Sequence, residues 1–145
     1  MSTAQAYRRM IELAAHPVLT RILEGIIREE AAHTQFYWSV ARLELKKSTA
    51  AQKMARKVVE TFWRPVGQGS LAKHRTDYSI AMLFSGDEGT ERIDRTVTRR
   101  ARELPGFGNL TKITTRVKEI CDRCHPASPI SAASLLLSVN LYSVF

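Results

Sequence analysis

The chain has 145 residues, a length that fits one domain with a modest hydrophobic core. Hydrophobic residues make up 44% of it and charged residues 25%, which indicates a globular protein rather than a disordered one. The formal net charge is +8. No apolar run follows the Arg pair Arg8–Arg9 near the N-terminus, so the sequence predicts no signal peptide and a cytoplasmic location.

The positive charge is concentrated in residues 42–75, which contain nine Lys or Arg against Glu44 and Glu60. A basic stretch of this kind predicts an acidic partner, which could be nucleic acid, an anionic membrane surface or an acidic carrier protein. A solvated basic face is the more common explanation. Because the sequence has no nucleic-acid module signature and no aromatic residues interleaved with the basic ones, no nucleic-acid partner is expected.

Apolar residues recur at helical spacing in six consecutive segments, and no segment alternates as a strand would. The breaks between them contain residues that end or start helices, such as Pro17, Ser48 and Pro105–Gly106. The predicted fold class is therefore all-α. The expected helices cover residues 3–15, 17–45, 49–63, 71–84, 90–103 and 109–121.

The second of these helices places two polar residues, Glu30 and His33, in the row expected to face the core. Burying an unpaired carboxylate costs several kcal/mol, so Glu30 needs a cationic partner. Residues three apart on a helix point the same way, and Glu-x-x-His is a ligand motif of di-iron helical bundles. Glu30 and His33 are thus candidate metal ligands. The alternative is a polar pair at a surface seam, with Glu30 bound to an Arg. The expected apolar row comprises Leu19, Ile22, Leu23, Ile26, Ile27, Phe36, Tyr37, Val40 and Leu43.

Several motifs occur along the chain in a recognisable order. They are Thr3 and Tyr7, His16–Leu19, Ile26–His33, Phe36–Tyr37, Phe62–Pro65 with Gly67, Leu83–Gly86 with Gly89, and Leu104–Gly106. Together they resemble the C-terminal half of the acyl-ACP desaturases, also called stearoyl-ACP or type 2 fatty acid desaturases, which are ferritin-like di-iron proteins. The resemblance covers about residues 3–120, and the Glu-Glu-x-x-His helix is its most specific part. Two positions differ: Glu29 stands where the family usually has Asp, and Ala32 where it often has Arg or a similar polar residue.

The resemblance implies a four-helix bundle that holds two irons through four carboxylates and two His. In that family the irons activate dioxygen, which removes two hydrogens from a fatty acyl chain carried on acyl carrier protein. Only Glu30 and His33 match ligand positions of the family, and the missing ligands would lie before Met1. We therefore expect residues 1–125 to form a partial ferritin-like domain, the C-terminal half with extra C-terminal helices, whose iron site is incomplete. By itself such a chain is expected to be inactive as an oxidoreductase.

The same resemblance implies two partners. Acyl carrier protein is acidic and would suit the basic stretch 42–75. The missing half would have covered apolar side chains along Leu23, Ile26, Tyr37 and Val40, so exposure of this face predicts self-association. An alternative function is a non-catalytic helical protein that kept the fold and binds a partner.

A third function is suggested by Cys121, Cys124 and His125, which match the Cys-x-x-Cys-His attachment sequence of c-type haem. The same residues could contribute to a zinc site, which would need a fourth ligand. Two reduced thiols at a helix end are the more common explanation. The tail at residues 126–145 is uncharged and largely apolar, and it is too short and polar to predict a firm membrane span.

Overall fold

A computed structural model describes residues 2–65, 67–69 and 71–124 of the chain. Within these ranges the chain is helical, with one isolated bridge between Gln68 and Leu71 and no strand. Three consecutive parts, α5, a π-helical segment and α6, form one continuous helical stretch. The elements are α1 (Ser2–Ala14), α2 (Pro17–Lys46), α3 (Thr49–Phe62), α4 (Lys73–Phe84), α5 (Asp87–Ile93), the π segment (Asp94–Thr98), α6 (Arg99–Arg102) and α7 (Lys112–Arg123).

The all-α prediction is confirmed, and so are the breaks that separate the helices. Pro17 occupies the first turn of α2, where its missing N–H costs nothing, and the His16 side chain accepts a hydrogen bond from the Leu19 amide (3.4 Å). Ser48 caps α3 by accepting from the Ala51 amide (3.2 Å). The predicted haem or zinc residue His125 and the apolar tail at 126–145 lie outside the described residues.

Two helix starts differ by three residues from those expected. The fifth helix begins at Asp87 rather than at residue 90, because Gly86 has a φ of +85° that turns the chain and two acidic residues then suit a helix N-terminus. The last helix begins at Lys112 rather than at residue 109. Leu110 lies in a turn, where its amide donates to the Phe107 carbonyl (2.9 Å), and its side chain is buried.

The hydrophobic core lies among the helices of the second half of the chain. Helices α4, α5 and α7, the π segment and the loop before α7 supply nearly all of its buried side chains, and α2 supplies one. The first three helices pack around this core. The core residues are Leu45, Ile80, Phe84, Ile93, Val97, Ala101, Phe107, Leu110, Ile113, Val117, Ile120 and Cys121.

The expected inward row of α2 is wrong in its second half. Trp38 is 8% exposed, whereas Tyr37 is 69% exposed, and Val40 and Leu43 are exposed as well. The Trp38 indole N–H donates to the Arg100 carbonyl (3.2 Å), and the Arg100 guanidinium lies 3.8 Å from the ring centroid. These contacts favour Trp38 as the buried residue among three consecutive aromatic side chains. At the other end of the helix Leu23 is buried, which corrects the expectation that it is exposed.

No helix in the described part of the chain combines the length and apolar character that crossing a membrane requires.

A buried carboxylate, Asp77, ties α4 to the preceding loop and to α7. Its oxygens accept hydrogen bonds from Gln68 Nε2 (2.6 Å), from Lys73 and from Arg123 (3.4 Å), and the residue is 2% exposed. Burial raises the pKa of Asp77. The hydrogen bonds from Lys73 and Gln68 and the nearby positive charges lower it by a larger amount, so the pKa of Asp77 lies below its usual value. The carboxylate is therefore a pH-dependent source of stability.

We expect Asp77→Asn to lower the free energy of unfolding by about 2 kcal/mol at pH 7, since hydrogen bonds to a charged group are lost. Because the folded-state pKa lies below the ordinary value of 3.8, the stabilisation is present above about pH 4 and is lost as the pH falls through the lowered pKa. The variant should therefore lose less stability than the wild type during acidification. Urea unfolding at several pH values measures this. The exposed Asp122, changed to Asn, is the control, and equal effects at both positions would contradict the prediction.

Candidate functional site

An apolar cavity lies between the start of α1 and helices α4, α5 and α7. Its volume is about 230 Å3. Apolar side chains line most of the wall, and hydroxyl groups are the polar part of its lining. The apolar lining is Ala6, Trp63, Pro65, Ile80, Leu83, Phe84, Ile93, Ile113 and Val117, and the hydroxyl residues are Ser2, Thr3, Tyr7, Thr76 and Ser79.

The first two turns of α1 form one wall of the cavity, and an ion pair fixes the far end of this helix. Glu12 Oε1 lies 2.6 Å from Nη1 of Arg92 on α5, and Glu12 also pairs with Arg9 (2.9 Å). Hydrogen bonds from Arg92 and Arg9 lower the pKa of Glu12. The hydrogen bond with Glu12 in turn raises the pKa of Arg92. The pair is partly exposed, so we assign it a role in orienting α1 rather than a large stabilising energy.

Two of the hydroxyls in the lining already have backbone partners. Thr76 Oγ1 donates to the Gly67 carbonyl (3.4 Å), and Ser79 Oγ donates to the Arg75 carbonyl (3.0 Å). These two hydroxyls are therefore satisfied, and most of the lining that a ligand would contact is apolar. An apolar cavity of about 150 Å3 can stay dry and bind benzene, so this larger one has room for a hydrocarbon ligand. Its chemistry favours an apolar group over a charged one.

Glu30 and His33 lie at the boundary between the packed and exposed faces of α2. Glu30 is half-buried and lies seven residues, about two helical turns, after the buried Leu23, at the edge of the face that buries Leu23 and Trp38. His33 is exposed. Neither residue lines the cavity. The assignment of Glu30 and His33 as metal ligands stays a prediction.

The described residues do not form a di-iron ligand set. Nowhere in residues 2–65, 67–69 and 71–124 do three or more His, Cys, Asp or Glu side chains come together in a group that could hold a metal ion. Glu30 and His33 supply one carboxylate and one imidazole, and two irons need several bridging and terminal carboxylates besides. The alternative expectation, an ion pair between Glu30 and an Arg, is also not observed among these residues.

The cysteine motif lies at the end of α7. Cys121 is buried in the core and Cys124 is half-buried, and both are free thiols. Burial raises the pKa of the Cys121 thiol. Metal ligation requires the thiolate, so this environment disfavours Cys121 as a ligand. Its observed role is that of an apolar core side chain.

The basic stretch 42–75 spans the end of α2, all of α3, the following loop and the start of α4. Three of its cations have carboxylate partners: Lys47 pairs with Glu44, Arg56 with Glu60, and Lys73 with Asp77. Lys53, Lys57 and Arg64 are exposed. The expected binding of an acidic carrier protein, and the expected self-association, stay predictions.

Sequence reasoning missed the cavity as a site, because its lining comes from segments that lie far apart in the chain. Thr3 and Tyr7 were singled out through the desaturase resemblance, and both lie on its wall. The contact between Trp38 and Arg100 was also missed, since 62 residues separate the two.

Comparisons with protein-family models, with curated proteins and with solved structures found no match for this chain. The resemblance to the acyl-ACP desaturases is therefore carried by the sequence motifs alone, and membership of that family stays a prediction. What it implies about iron and dioxygen stays a prediction.

Proposed function

We propose that this chain is a helical protein of the acyl-ACP desaturase type, with a ferritin-like arrangement of α1 and α2, that binds a fatty acyl chain in its apolar cavity. The single observation that supports the proposal is the cavity itself, which has an apolar wall and carries Thr3 and Tyr7 from the segment that resembles the desaturases. Binding is the function that this geometry favours, with or without a metal.

The binding energy would come from hydrocarbon transfer out of water. Each methylene buried contributes about 0.8 kcal/mol, so six methylenes contribute about 5 kcal/mol before the entropy of immobilising the ligand is subtracted. The side chains of Ile80, Leu83 and Phe84 would form the floor, since they belong to the buried or half-buried face of α4. The carboxyl or thioester end of the ligand would remain at the open side, because the described lining contains no charged residue.

Iron chemistry does not fit the described residues alone. Glu30 and His33 would leave most of an octahedral shell to water, so iron held by them would bind weakly and exchange. Oxidation of a bound acyl chain would require further carboxylates that these residues do not provide. We assign the chain binding activity and no oxidation step.

The proposal is tested by titrating a fatty acid into the protein and by a substitution that fills the cavity with a side chain. We expect decanoate to bind the purified chain with a negative heat-capacity change, the signature of apolar burial, in isothermal titration calorimetry. The substitution Ala6→Phe places a ring in the cavity wall and should weaken binding about tenfold or more, because the ring displaces methylenes that contribute about 0.8 kcal/mol each.

The matched control is Ala32→Phe, the same change at an exposed position of α2 outside the cavity lining. It should leave decanoate affinity unchanged. Absence of decanoate binding, or equal loss in both variants, would overturn the assignment of the cavity as the acyl site.

A further inference from the structure

The outer side of α3 carries a row of apolar side chains that the described fold leaves uncovered. Met54, Val58 and Phe62 are 69%, 50% and 68% exposed, and they are spaced four residues apart. At 1.5 Å per residue the row is about 12 Å long, which is a little more than two helical turns. Isolated exposed apolar residues are common, but three in one helical row form a patch that indicates an interaction site.

Helix α3 is held firmly by its opposite side, so it cannot turn to bury this row. The Gln52 side chain donates to the Leu45 carbonyl (2.8 Å), and Arg56 Nη1 donates to the Gly106 carbonyl (3.3 Å). Ala51, Ala55 and Val59 pack against the core. The surface offered to a partner is therefore rigid and only one residue wide.

Positive charge runs beside the row. Lys53 and Lys57 are exposed, directly precede Met54 and Val58, and make no ion pair with any carboxylate of the described chain. The one acidic residue of α3, Glu60, pairs with Arg56 (2.7 Å). These positive charges therefore favour a partner that carries acidic residues opposite them.

We propose that this outer face of α3 binds an amphipathic helix of a protein partner in which an apolar row is flanked by Asp or Glu. A single apolar row beside a charged row is the geometry by which two helices pair. Binding to a bilayer surface would require a broad apolar face, and the core contacts of α3 prevent such a face from forming here. A second copy is disfavoured, because a two-fold contact through this face would bring Lys53 and Lys57 of both chains together.

The probe is a synthetic helical peptide of about 18 residues, or roughly five helical turns, with Leu at every fourth position and Glu beside each Leu. We expect it to bind the full chain with a dissociation constant on the order of 10 μM, and to bind more weakly as salt rises. The double variant Lys53→Glu/Lys57→Glu should weaken binding about tenfold or more, and Phe62→Ser should also weaken it. Fluorescence anisotropy of the labelled peptide measures both.

The control variant is Lys118→Glu, which reverses an exposed charge on α7 and should leave affinity unchanged. A peptide with Lys in place of each Glu should fail to bind the wild type and should bind the double variant, a restoration that misfolding cannot produce.

Three results would overturn the proposal. The first is peptide binding that is the same in the wild type and the double variant. The second is binding of anionic vesicles, made of phosphatidylcholine and phosphatidylserine at a ratio of about 3:1, in place of the peptide. The third is dimerisation through this face in sedimentation. The experiment needs no ligand in the cavity, so it succeeds or fails independently of acyl binding.

Discussion

Replacing Gly89 with alanine should lower the free energy of unfolding by about 3 kcal/mol or more. A Cβ at this position would lie 2.6 Å from the carbonyl carbon and 2.7 Å from the Cα of Phe84. These are backbone atoms, which cannot move aside as the end of a flexible side chain could. Helix propensity alone predicts the opposite sign, because alanine is favoured over glycine inside a helix by about 1 kcal/mol. The sign of the change therefore decides between the two effects.

The matched control for Gly89→Ala is Gly108→Ala. A Cβ on Gly108 would meet nothing within 4 Å, and its φ lies outside the left-handed range, so the control should change stability by less than about 0.5 kcal/mol. Urea unfolding followed by circular dichroism measures both variants. Wild-type stability in Gly89→Ala would show that the chain between α4 and α5 has room to relax.

The close approach at Gly89 matters for the cavity. Gly86, with a φ of +85°, turns the chain so that the start of α5 lies against the end of α4. This turn places Phe84 and Ile93 on the same cavity wall. We expect Gly89→Ala to weaken decanoate binding as well, because the clash separates the two helices that carry these side chains.

The helices could be predicted from the sequence because their signals are local. Periodic apolar residues indicated the class, and Pro17 and Ser48 marked boundaries that the structure confirms to within one or two residues. The start of the last helix could not be predicted in this way, because Leu110 has helical spacing from Ile113 and yet lies in a turn. Burial in the core explains its apolar character equally well.

The inward face of α2 was harder to predict, since Phe36, Tyr37 and Trp38 are consecutive aromatic residues. Periodicity favoured the first two, and the structure buries the third, because only Trp38 meets the backbone and guanidinium of Arg100. Such a contact across 62 residues leaves no local pattern. The same rotation of the helix leaves His33 exposed while Glu30 is half-buried, so the position of the candidate metal ligands depends on it.

Ile120→Ala is the second change with a large expected effect, a loss of about 4 kcal/mol in the free energy of unfolding. Ile120 is 0% exposed and lies in the core cluster with side chains from α4 and α5. Truncation removes three carbons from a closely packed region and leaves a cavity that neighbouring helices fill only in part. A small domain has about 5–15 kcal/mol of stability in total, so this loss is a large share of it.

The consequence should extend to the acyl site, because Ile113 and Val117 on the same helix line the cavity. Opening of α7 would remove this wall, and decanoate affinity should fall together with stability. The control is Ile22→Ala, the same substitution at a position of α2 that is 55% exposed, with an expected loss below about 1 kcal/mol and no change in affinity. Urea unfolding and calorimetry measure the two quantities. If Ile120→Ala lost stability but bound decanoate as tightly as the wild type under native conditions, α7 would not form the wall that holds the ligand.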